Sequence, residues 1–120
     1  MHKVLIVDDS RTSRKILRGI LEGRNLEVVG EAVNGEDGVK LYKELKPDVV
    51  TLDITMPVLD GVSALKQIVE YDSDAKAIMV TAAGQQSNVV EAIKAGASEF
   101  VTKPFDENII VDVITRILND

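Results

Sequence analysis

The apolar period of this 120-residue chain switches back and forth along its length, and that alternation constrains the fold more than any other feature. Val4-Leu5-Ile6-Val7 is a short β-branched run, the pattern of a strand covered on both faces. Ile16, Leu17, Ile20 and Leu21 then recur at helical spacing, with Arg11, Arg14, Lys15 and Arg18 between them. Residues 26–29 read as a second strand, interrupted by Glu27; Asn34-Gly35 turns the chain, and residues 38–46 read as a helix that Pro47 stops. The cycle repeats with strands at 49–52, 77–80 and 99–102 and helices at 62–71, 89–95 and 109–118. Five strands alternating with five helices imply a mostly parallel sheet with helices on both faces. The units are too few to close an eight-stranded barrel, so an open, doubly wound α/β sheet is expected. No proline-rich linker, low-complexity tract or charge block divides residues 1–120, which read as one domain.

Composition narrows the partners. Hydrophobic residues make up 45% of the chain, enough for a core, and aromatics only 3%, so that core must be aliphatic. Asp and Glu number 20 against 14 Lys and Arg, a formal charge of −6 that repels phosphate backbones and anionic lipids. Neither a nucleic acid nor a membrane is therefore an expected partner. The absence of cysteine excludes disulfides, thiolate metal sites and thiol catalysis. The run at 4–7 is too short for a signal-peptide core, and no stretch approaches the ~20 apolar residues of a membrane helix. The default expectation is a soluble, cytoplasmic protein.

The polar residues that matter share one position. Strand one runs into Asp8-Asp9, strand three into Asp53, strand four into Thr81 and strand five into Lys103. In open α/β sheets the carboxyl edge of the strands holds the ligand crevice, where the winding reverses. One of Asp8 and Asp9 can be a helix cap, with Ser10 sharing the task. Two adjacent carboxylates beside a third repel, however, unless a cation joins them. An all-oxygen donor set suits Mg²⁺ or Mn²⁺. Asp53 beside such a cation is a competent nucleophile toward phosphorus; its ordinary alternative is a turn residue ahead of Pro57. Lys103 can supply positive charge to a phosphoryl oxyanion, and Thr81 a hydroxyl; alone, each also reads as a surface lysine or a strand threonine. His2 reads as a solvated terminal residue. The basic residues Arg11, Arg14, Lys15 and Arg18 read as a solvated face, with docking of a kinase phosphodonor domain as the alternative.

With Val4-Leu5-Ile6-Val7-Asp8-Asp9-Ser10, Asp53-Ile54-Thr55-Met56-Pro57, Asp60-Gly61, Val80-Thr81-Ala82, Ala95-Gly96-Ala97 and Lys103-Pro104-Phe105 in this order, the whole chain resembles the receiver domains of two-component response regulators, most closely the stand-alone chemotaxis regulators. The resemblance implies a flavodoxin-like five-stranded sheet of order 2-1-3-4-5. It implies Asp53 as phosphoacceptor, Asp9 as direct Mg²⁺ ligand, Asp8 acting largely through water, and the Thr55 carbonyl as a further ligand. Lys103 would contact the phosphoryl group, and the Lys103–Pro104 bond would be cis. Thr81 and Phe100 would form a switch in which Thr81 moves toward the phosphoryl oxygens and the Phe100 ring turns inward. A histidine kinase would be the phosphodonor. The surface of the fourth helix, last strand and last helix would meet an output partner such as a flagellar motor switch, and a phosphatase can act on the product. An isolated receiver of a larger regulator, or a phosphorelay intermediate, fits the same motifs.

Phe100 stands where well-studied chemotaxis members often carry Tyr. Thr55 and Ala83 replace the polar pair of the fast-decaying members, so slower self-dephosphorylation is expected. Two rivals use related parts. Phosphatases of the haloacid-dehalogenase type need a second Asp two residues after the nucleophile, where this chain has Thr55. Flavodoxin-like electron carriers need a phosphate-binding loop after strand one, where this chain has two carboxylates. The expected role is thus a signalling switch rather than an enzyme.

Overall fold

The computed structural model of the protein describes residues 1–82 and 87–119, with backbone alone for Ser87 and Asn88. In chain order the elements are β1 (Lys3–Val7), α1 (Arg11–Glu22), β2 (Glu27–Ala32), α2 (Gly35–Leu45), β3 (Val49–Asp53), α3 (Gly61–Tyr71), β4 (Ala77–Thr81), α4 (Ser87–Ala95), β5 (Glu99–Thr102) and α5 (Glu107–Leu118). The strands form one sheet of order β2-β1-β3-β4-β5, and every neighbouring pair is parallel. The fold is therefore the doubly wound α/β sheet that the alternating periods imply.

The strand side chains divide by parity. Leu5, Val7, Val50, Leu52, Ala77 and Met79 pack with Val39 and Tyr42 of α2, Val62, Leu65 and Ile68 of α3 and Ala92 of α4. Val4, Ile6, Val49, Ile78, Val80 and Val101 pack on the other face with Leu17 and Leu21 of α1 and Ile110, Val113, Ile114 and Ile117 of α5. Strands buried on both faces need apolar residues at consecutive positions, which explains the unbroken runs in β1 and β4 and the run in β3 that only the buried Thr51 interrupts. Among the described residues no helix is long and apolar enough to cross a membrane.

Several boundaries differ from the sequence reading, four of them for a clear local reason. β2 runs on to Ala32 past Gly30 and Glu31, because an edge strand pairs on one side only and tolerates polar residues. Asn34 is not a turn residue but the N-cap of α2, its side chain accepting from the Asp37 amide, so the helix begins at Gly35. Asp106 likewise caps α5 by accepting from Ile109 N, starting that helix two residues before its first apolar position. α2 ends at Leu45 with Lys46 left-handed (φ 47°), since the residue before Pro47 is disfavoured in the helical region.

Candidate functional site

The winding reverses between β1 and β3, and the chain places acidic residues at both strand ends. Asp8 and Asp9 follow the last residue of β1, and Asp53 is the last residue of β3. Asp8 and Asp53 are buried, while Asp9 is exposed. One carboxylate oxygen from each lies within 4.8 Å of the others. Such a set of hard oxygen donors, part buried and part open to water, fits a divalent cation that keeps several waters.

Lys103, just past β5, points its ammonium into the same cluster. Its Nζ lies 2.9 Å from Asp8 Oδ2 and 3.1 Å from Asp53 Oδ2. The strand end is fixed from below, since the Lys103 amide donates to the Thr81 carbonyl at 2.9 Å. The Lys103–Pro104 bond is cis. Thr81 is fully buried at the end of β4, its hydroxyl donating to the Ala82 carbonyl at 3.2 Å. Phe100, on β5, is exposed. Ala83 lies outside the described residues.

The electrostatics follow from this crowding. Burial pushes the Asp53 carboxyl above the ordinary carboxylate range, and the neighbouring Asp8 charge adds to that, against the pull of Lys103. Burial alone would lower Lys103, but its hydrogen bonds to Asp8 and Asp53 outweigh that and raise it. The Lys103 ammonium thus pairs with two of three clustered carboxylates, which leaves Asp9 to offer a cation.

Backbone contacts hold the carboxylates in place. Asp8 Oδ1 accepts from the Ser10 amide at 2.8 Å, and Ser10 in turn caps α1, so the capping task falls to Ser10 rather than to either aspartate. Asp53 Oδ1 accepts from the amide of the exposed Thr55 at 3.3 Å. Gly61 opens α3 directly against β3: a Cβ there would stand 2.0 Å from the Asp53 carbonyl oxygen. Gly61 therefore belongs to the site as a matter of space, which the Asp60-Gly61 motif contained but did not explain. Asp60 caps α3; burial would raise its carboxyl, but hydrogen bonds from Ser63 lower it on balance.

The basic face of α1 is only partly solvated. Arg11 and Lys15 are exposed, but Arg14 is half-buried. Arg14 Nη1 donates to the Asp8 carbonyl at 2.7 Å, and its Nε donates to Glu31 Oε1 at 3.1 Å. Arg18 binds the other Glu31 oxygen. Position on the helix could not distinguish Arg14 from Arg11, because the difference lies in where a long side chain reaches. His2 is exposed, 3.8 Å from Asp48.

Known proteins share this sequence pattern and fold. Residues 4–115 match the profile of the response regulator receiver domain. The chemotaxis protein CheY of Thermotoga maritima is 49% identical over 115 residues, covering 96% of both chains. CheY of Bacillus subtilis is 48% identical over 118 residues, 98% of both. Among solved structures, a CheX–CheY–BeF3–Mg complex from Borrelia burgdorferi superposes with a TM-score of 0.92 at 36% identity, over 97% of this chain and 88% of that one. A profile match over nearly the whole chain and two relatives near half identity make this chain a member of the receiver domain family of two-component response regulators.

Proposed function

We propose that residues 1–120 act as a single receiver domain switched by phosphorylation of Asp53. The observation that carries this reading is the buried Asp53 carboxylate within 4.8 Å of Asp8 and Asp9 and 3.1 Å from the Lys103 ammonium. An Asp53 oxygen attacks the phosphorus of a phosphohistidine on a histidine kinase. The P–N bond breaks, the imidazole leaves as the neutral ring with a proton taken from solvent, and an aspartyl phosphate forms. Asp8, Asp9, Asp53 and the Thr55 carbonyl would hold Mg²⁺, or Mn²⁺ in its place. A bound divalent ion supplies charge neutralisation at the phosphoryl oxygens. Lys103 stabilises negative charge on the transferring group. Thr81 Oγ1 redirects its proton from the Ala82 carbonyl to a phosphoryl oxygen.

The product is a switch rather than a turnover enzyme. Movement of Thr81 clears space toward which the exposed Phe100 ring turns, favouring one of two packings of the α4–β5–α5 face. The two relatives near half identity, both chemotaxis proteins, support an output in chemotaxis; on this reading a flagellar motor switch is the partner, a phosphatase resets the signal and the cytoplasm is the place of action. The CheX–CheY neighbour supports a second protein binding the activated form.

Intact-mass spectrometry after incubation with acetyl phosphate tests the chemistry. A single phosphoryl adduct that requires Mg²⁺ and is absent from Asp53→Asn is expected. An adduct that persists in that variant, or none in the wild type, would overturn the assignment.

A further inference from the structure

We infer that Arg14, clamped by Glu31, is a positioning residue for the cation site, setting its affinity through the Asp8–Asp9 peptide; this rests on the proposed function above. The Asp8 carbonyl that accepts from Arg14 Nη1 at 2.7 Å belongs to the same planar unit as the amide of Asp9. Holding that oxygen orients the peptide from which the Asp9 side chain projects. The preceding peptide, on the other side of the Asp8 Cα, is held separately, since the Asp8 amide donates to the Ala32 carbonyl at 3.0 Å. Asp9 is the exposed member of the trio, and its backbone is what these contacts restrain.

The guanidinium is itself held. Its Nε is 3.1 Å from Glu31 Oε1, and the other Glu31 oxygen is bound by Arg18, which also reaches the Val28 carbonyl at 3.4 Å. Arg14 and Glu31 side chains are 14% and 29% exposed, so this pair is neither a free surface bridge nor fully desolvated. Arginine's fixed fork suits it to carry a carbonyl on one arm and a carboxylate on another, which a lysine ammonium on a flexible stem reproduces poorly. Contacts that orient metal ligands without touching the metal are commonly worth about 10–100-fold in affinity.

The sign of the effect separates this role from a general field. Arg14 is a cation beside an acidic cluster, so removing its charge alone should tighten Mg²⁺ binding. Loss of positioning should weaken it. Titration calorimetry with MgCl2 at constant ionic strength reads the difference on the intact protein. Expected are a roughly tenfold or greater rise in Kd for Arg14→Ala, and a rise for Arg14→Lys, which keeps the charge. Lys15→Ala, which removes the same charge from the same helix, should leave Kd unchanged or lower it. Glu31→Gln also removes a negative charge, so it is read against Glu22→Gln, which removes the same charge from another partner of Arg18; a larger rise in Kd for Glu31→Gln preserves the test if Arg14→Ala does not fold. Circular dichroism melts without metal establish that the compared variants are folded. Arg14→Ala and Glu31→Gln binding Mg²⁺ as tightly as the wild type, or more tightly, would overturn the role of Arg14 while the site assignment stood. A wild type that binds no Mg²⁺ would bring down the cation site, and this inference with it.

Discussion

At the scale of single residues, the site is a set of charges that the fold holds against their own repulsion, and Lys103 and Asp53 carry opposite consequences of it. Lys103 Nζ bridges Asp8 and Asp53, so its ammonium is the cation that the acidic cluster already has. Lys103→Met should therefore tighten Mg²⁺ binding at least about fivefold, because a unit charge at 4 Å is worth about 1 kcal/mol even in bulk water. The same variant should slow acetyl-phosphate labelling by roughly 10²-fold, since the developing phosphoryl charge loses a preorganised donor. Calorimetry and time-resolved mass spectrometry read the two effects, and a parallel fall in both would contradict the competition. Asp53 has its carboxyl raised by burial and by Asp8. A raised carboxyl contributes stability below its unfolded value, about 3.9, and loses that contribution as pH climbs through the higher folded value. Ionisation of Asp53 thus weakens the metal-free fold. Asp53→Asn should melt higher than wild type at pH 7 in EDTA, and the gap should close toward pH 4. A variant that melts lower at pH 7 would show that the bond to Lys103 outweighs the burial.

At the scale of elements, the sheet was legible down to the bounds of the edge strand β5, but the extent of the other edge strand, β2, was not. β1, β3 and β4 were recognisable from their apolar runs and β2 and β5 from shorter ones, and the site residues stood out because Asp8, Asp53, Thr81 and Lys103 all lie at or just past a strand end. The order of the strands was available only through family resemblance, because alternation of periods is compatible with more than one winding. The extension of β2 through Gly30 and Glu31 escaped notice because an edge strand needs no continuous apolar pattern. The reach of Arg14 to the Asp8 carbonyl escaped because rotamers, not spacing, decide it. Gly61 shows the same limit: the Asp60-Gly61 pair entered only as part of the family pattern, and its consequence depends on how closely α3 abuts β3. With a Cβ 2.0 Å from the Asp53 carbonyl oxygen, α3 must shift to admit even alanine. Gly61→Ala should cost of order 1–3 kcal/mol by urea denaturation, as overpacking does. It should also slow phosphorylation, because the carbonyl it displaces belongs to the nucleophile. Unaltered labelling in a destabilised variant would separate the packing role from the site.

At the scale of the whole molecule, binding at the carboxyl edge and folding are one equilibrium. The three carboxylates come from positions 45 residues apart in sequence and meet only when β1 and β3 pair. An unfolded chain has no such cluster, so Mg²⁺ should stabilise the native state by mass action, about 2.7 kcal/mol at a hundredfold excess over Kd. For a domain of this size that is a rise in Tm of roughly 10 °C. The general charge of −6 offers a rival explanation, since any cation screens a negatively charged surface. Asp9→Asn distinguishes the two. Asp9 is exposed, so its loss should barely change the metal-free melt, and it removes only one of many surface charges. If the stabilisation arises at the site, Asp9→Asn should lose most of the response to Mg²⁺ while its melt in EDTA matches the wild type. A response that survives in Asp9→Asn, and that NaCl at equal ionic strength reproduces, would assign the effect to screening and leave the acidic cluster without its cation.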